Sequence, residues 1–103
     1  MDGKVLGKIQ KIDLMEEYGH IYLQVELGSD IPNAPEGNWG VQNSYPIIPG
    51  EKAIDLDKWT IFPLADIMQA AQVSNLQSLK GKPVEATFEG NLLKHWRILT
   101  EAI

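Results

Sequence analysis

Val84-Glu85-Ala86-Thr87-Phe88-Glu89-Gly90-Asn91-Leu92-Leu93-Lys94-His95-Trp96-Arg97-Ile98-Leu99 is the stretch on which the fold turns. Its first half sets Val84, Ala86 and Phe88 against Glu85, Thr87 and Glu89, the period of two of a half-buried strand. Its second half sets Leu92, Lys94, Trp96 and Ile98 against Leu93, His95, Arg97 and Leu99. The connection between them, Gly90-Asn91, has the composition of the primed turns that join hairpin strands. A C-terminal antiparallel hairpin follows.

Working back from that hairpin, Lys80-Gly81 is a basic-plus-glycine stop for a short turn over Asn75-Leu76-Gln77-Ser78-Leu79, with Ser74 as its expected cap. Leu64, Ile67, Met68 and Ala71 share the 0, 3, 4, 7 spacing of one helix face. The spacing predicts a helix over residues 61 to 72, capped by Thr60, with Pro63 in its first turn. At the other end of the chain, Ile21, Leu23, Val25 and Leu27 alternate with Tyr22, Gln24 and Glu26. Residues 3 to 14 alternate with one slip, which a bulge near Gln10 explains, and Glu16-Glu17-Tyr18-Gly19 closes a hairpin over residues 3 to 27. Between Gly28 and Leu56 the texture changes, with prolines at 32, 35, 46 and 49 and glycines at 28, 37, 40 and 50. Residues 28–56 are expected to be a loop-rich insert holding a short strand over Asn38-Trp39-Gly40-Val41-Gln42. The expected fold is α+β: an antiparallel sheet of four or five strands with one main helix on one face, in the order β-β-(β)-α-β-β.

The chain's 103 residues suit a single domain, 1–103, because two cores of half that size would each be marginal. The formal net charge of −5, from 14 acidic against 9 basic residues, argues against duplex DNA binding driven by phosphate neutralisation. With no cysteine there is no disulfide, thiolate zinc site or thiol nucleophile. No apolar run is long enough for a signal peptide or a membrane span, so the expected location is cytoplasmic.

Catalytic chemistry finds few candidates. His20 and His95 could each act as a general base, but neither has neighbours at the spacing of a triad or metal site. Glu51, Asp55 and Asp57 lack the glycine and the closing glutamate of a calcium loop, and Asp57 reads better as helix-entry chemistry. Neither Gly3-Lys4-Val5-Leu6-Gly7-Lys8 nor Lys80-Gly81-Lys82 has the spacing of a phosphate loop. No cofactor or metal is therefore expected. The aromatics are more informative, because Trp and Tyr grip partners through an apolar body and a polar tip. Trp59 and Trp96 are assigned to the core. Trp39 and Tyr45, with Asn38, Gln42 and Asn43, form the expected binding surface in the insert, unless Trp39 only anchors that loop to the sheet.

The run Leu79 to Leu99, together with Trp39-Gly40, resembles a group of small proteins encoded by bacteriophages and prophages. The resemblance implies a phage origin and carries no catalytic or binding residues with it. Small size, acidic charge, sparse catalytic chemistry and an aromatic insert then lead to the expectation of a non-enzymatic phage accessory protein that binds and neutralises a host factor. That factor is either a defence protein or a small nucleotide signal held in a pocket between subunits. The alternative is a structural or replication accessory module that assembles with itself or with phage proteins, since open strand edges favour homo-oligomers. A small hydrolase using His20 or His95 is the third reading.

Overall fold

The structure is a computed structural model that describes residues 2–29, 39–48, 52–56 and 58–102. Its strands are β1 (Gly3–Glu17), β2 (His20–Gly28), β3 (Gly40–Ile48), β4 (Lys52–Asp55), β5 (Thr60–Ile61), β6 (Pro83–Glu89) and β7 (Leu92–Ile98), with one helix, α1 (Leu64–Ala70). The described residues form one antiparallel sheet in the order β5-β4-β3-β2-β1-β6-β7. The sheet thus has seven strands where four or five are expected, and the helix is a minor element of seven residues. The first five strands form a meander, and the C-terminal hairpin adds to the other side of β1.

The slip in β1 is a bulge: Ile9 faces Leu27 and Lys11 faces Glu26, so Gln10 is the extra residue. Val5 and Ile9 point inward before it, and Ile12 points inward after it. The Gln10 side-chain amide lies over Gly28, 2.5 Å from where an added Cβ would stand, so a larger residue there would only have to push that flexible side chain aside. A second bulge sits in β7, where Leu93 faces Phe88 and His95 faces Thr87, leaving Lys94 unpaired. It shifts the phase, so Leu93 packs on the core beside Trp96 and Ile98 while Leu92 is exposed. The expected face Leu92-Lys94-Trp96-Ile98 is corrected accordingly.

Most of the described residues of the expected insert are strand. β3 runs nine residues through Pro46, far longer than Asn38–Gln42, and β4 follows. Proline is tolerated because Pro46 pairs only with Tyr22 of β2, while β4 joins β3 only at Ile47 and Ile48. Asn38, Glu51 and Asp57, together with Pro32, Pro35, Gly37, Pro49 and Gly50, lie outside the described residues.

The helix starts later than residue 61 because residues 60 and 61 pair with β4 and the Phe62 N–H donates to the Ala53 carbonyl at 2.8 Å. Thr60 is therefore a strand residue, and Pro63 occupies the cap position. The predicted face holds: Ile67 and Ala71 are buried, and Leu64 and Met68 pack against the core. The helix closes through Gln72, at φ 59°, with Gln72 N–H to Gln69 O and Val73 N–H to Met68 O, both at 3.0 Å. The following 3-10 turn, Leu76–Leu79, is capped by Asn75 rather than Ser74; Asn75 Oδ1 accepts from the Ser78 N–H at 3.0 Å. Gln77 ties this turn to β1, donating to the Ile12 carbonyl at 2.9 Å and to Asp13 Oδ1 at 2.8 Å.

The sheet curls into a half-barrel. Four strand-to-strand steps separate β3 from β7, about 19 Å if the sheet were flat. Yet the Trp96 indole N–H of β7 donates to the Tyr45 hydroxyl of β3 at 3.2 Å. Ala86, directly opposite Trp96, leaves the inward space that the indole fills. Tyr45, Phe62 and Trp96, all nearly fully buried, thus sit where the two ends of the sheet approach each other.

A candidate binding cleft at the open seam

The half-barrel does not close along β5 and β7, the outermost strands, each of which pairs with one neighbour among the described residues. Between them lies a cleft of about 990 Å³, lined by Thr60 and Ile61 of β5, by all of β7, by Asn43 and Tyr45 of β3, and by Asp66, Ile67 and Ala70 of α1. Its floor is aromatic: Tyr45 stacks on Phe62 with centroids 4.0 Å apart, and Phe62 tilts against Trp96 at 5.8 Å. Leu56, Ile61 and Leu92 are exposed at its rim.

Trp59, expected in the core, is 84% exposed. Its backbone sits at φ 55° in the turn between β4 and β5, which swings the ring outward, and Phe62 takes the inward place instead. Its chain neighbours Lys58 and Thr60 both line the cleft. An exposed indole on left-handed backbone is costly to keep unless something uses it.

The charges on the seam fall into two groups. Arg97 is engaged: its Nε donates to Glu85 Oε1 at 3.2 Å, and its two terminal nitrogens donate to the Glu101 carboxylate at 2.9 Å each. The bond to Glu101 raises the Arg97 pKa above its usual range, and the same fork pulls Glu101 down to about 2. Lys58 and Lys94 make no ion pair with the described residues and present their charge to the cleft. Asp55 and Asp66 also line it. His95 is held below the usual histidine pKa, first by burial, then by the charges of Lys58, Arg97 and Lys4, with Glu85 opposing. It therefore adds no charge near neutral pH.

The expected surface residues do not form one patch. Trp39 packs edge-on against Phe88 with centroids 5.4 Å apart, and its ring occupies the space above Gly7, where an added Cβ would lie 2.5 Å from Trp39 Cζ2. Its indole N–H is buried without a hydrogen-bond partner among the described residues. Tyr45 is buried in the cleft floor, Asn43 donates to its hydroxyl at 3.4 Å, and Gln42 points to the opposite, exposed face of β3. Asn43 and Tyr45 thus belong to the cleft, while Trp39 sits toward the far end of β3. Lys58, Trp59, Ile61, Leu92 and Lys94 were not legible as site residues; the only sequence signal was Leu92-Leu93-Lys94, two apolar neighbours and a charge that no single alternation accommodates.

Among the described residues no group of three or more His, Asp or Glu is arranged to hold a metal ion, and no helix is long and apolar enough to cross a membrane. No family model, curated protein or solved structure matches the chain, so the cleft has to be read from its own geometry.

Proposed function

We propose that this chain is a non-enzymatic binding protein, a phage accessory factor that captures a host protein by taking one of its extended segments into the seam between β5 and β7. The observation that carries this reading is the open edge of β7 facing β5 across an apolar-rimmed cleft. An edge strand presents unpaired N–H and C=O groups, and an incoming extended segment pairs with them while its alternate side chains enter the groove. Exposed Trp59, Leu56, Ile61 and Leu92 supply apolar contact, and Lys58 and Lys94 favour an acidic segment. A nucleotide is the weaker ligand here. The faces of Tyr45, Phe62 and Trp96 are spent on one another, which leaves little surface for a base to stack on.

The test is site-specific cross-linking in phage-infected host lysate, with a photoreactive benzoylphenylalanine at position 92 and a control at position 11. The expected result is one host protein joined at 92 and absent at 11, its yield falling with Trp59→Ala and its binding slowing exchange of the β7 amides that point away from β6. Cross-links from 92 to virion or replication proteins would instead support the assembly module, and the same host proteins at both positions would overturn the seam as the site.

A further inference from the structure

The β1–β2 hairpin outruns its neighbours. β6 pairs with β1 only from Gly3 to Lys8, and β3 pairs with β2 only from Tyr22 onward, so residues Leu14 to Ile21 form a two-stranded arm with no third strand on either side among the described residues. The register, Leu14 opposite Leu23 and Glu16 opposite Ile21, makes one face of this arm the continuation of the core face carrying Ile12, Leu23 and Val25. On that continuation Leu14 is 60% and Ile21 46% exposed. At the tip Tyr18 is 93% exposed at φ 52°, followed by Gly19 at φ 78°. A two-stranded ribbon is marginal by itself, and apolar side chains on an extended core face gain from being covered. Glu16 and Glu17 give the arm an acidic tip.

We infer that the arm of one copy docks in the β5–β7 seam of a second copy. The two surfaces complement each other in kind among the described residues: an apolar ribbon with two open edges and an acidic tip, and an apolar-rimmed gap between two open edges where Lys58 and Lys94 stand as cations without an ion pair, alongside Asp55 and Asp66 in the same lining. Arg97 does not compete for the acidic tip, because Glu85 and Glu101 already hold it. The inference requires only the open seam and not the host-factor reading; if both hold, a captured segment displaces the arm, and self-association falls as the factor binds.

Sedimentation velocity on the purified chain, with no host material, tests this. The wild type is expected to associate reversibly between about 1 and 500 µM, the range in which modest interfaces form. Reversing the arm (Glu16→Lys with Glu17→Lys) or the seam (Lys58→Glu with Lys94→Glu) should each weaken association at least tenfold at an unchanged circular dichroism spectrum. Mixing the two reversed proteins should restore it, because each then offers the other an arm and a seam of opposite charge. A wild type that stays monomeric throughout, association that survives both reversals, or a mixture no more associated than its components would each overturn the inference. None of these outcomes bears on whether a host protein cross-links at position 92.

Discussion

Tyr45 holds the two ends of the curled sheet together through one hydroxyl, which accepts from the Trp96 indole N–H at 3.2 Å. Tyr45→Phe keeps the ring stacked on Phe62 but leaves a buried indole donor without its acceptor, and is expected to cost about 1–3 kcal/mol. Urea unfolding should show a lower midpoint at an unchanged slope. Gln72 makes the opposite case: it closes α1 at φ 59°, a conformation that glycine adopts at little cost. Gln72→Gly should raise stability by roughly 0.5–1 kcal/mol, read from the same unfolding curves. His95 adds a pH dependence whose sign is set by its lowered pKa. The unfolded chain binds the proton more readily than the folded one, so stability rises with pH across this range. The contribution is complete above about pH 6.5 and is lost as pH falls through the lowered folded value. His95→Gln should flatten that part of the profile when urea midpoints are compared between about pH 7.5 and pH 5.5.

Among the elements, β7 owes its shape to one extra residue. Deleting Lys94 leaves Leu93 opposite Phe88 and His95 opposite Thr87 in an unbroken ladder, so the hairpin should survive, straightened and with less local twist. The expected outcome is a folded protein whose amide spectrum changes mainly along β6 and β7, with weaker self-association because a seam cation is gone. The two bulges also show what was readable. Gln10 announced itself because Val5 and Ile9 fall out of phase with Ile12, whereas Lys94 hid among apolar residues that fit either phase. The helix face was legible from its period, but its start was not, since pairing of residues 60 and 61 with β4 is a tertiary event. The sequence shows only a short strand over Asn38–Gln42 in a proline-bearing insert, whereas β3 runs on through Pro46, because a sequence does not say on which side a strand lacks a neighbour. Of the residues lining the cleft, Asn43 and Tyr45 are among those the sequence singles out. Lys58, Trp59 and Leu92 were missed, because their convergence depends on a positive φ at Trp59 and on the curl that brings β5 toward β7.

For the molecule as a whole, the position of β1 matters most. It lies inside the sheet, bonded on one side to β2, the next strand in the chain, and on the other to β6, some eighty residues later, with Gly3 facing Phe88 and Lys8 facing Pro83. Pairings of such long span are slow to form, because the loop entropy is spent before the contacts repay it. A circular permutant that links the C-terminal hairpin directly ahead of β1 and opens the chain between α1 and β6 should therefore refold faster than the native order at similar stability, measured by stopped-flow Trp fluorescence.

The same placement has a consequence for biosynthesis. As the chain leaves the ribosome, the meander of β1 to β5 can assemble while the outer edge of β1 is still bare, because the strand that covers it is made only after β5 and α1. Until then the nascent protein carries an adhesive margin, with Val5 and Ile9 uncovered on one face, and premature termination upstream of residue 83 would fix it in that state. Products truncated before β6 should therefore aggregate or be cleared rather than persist, which pulse-chase of a chain stopped upstream of residue 83 would show.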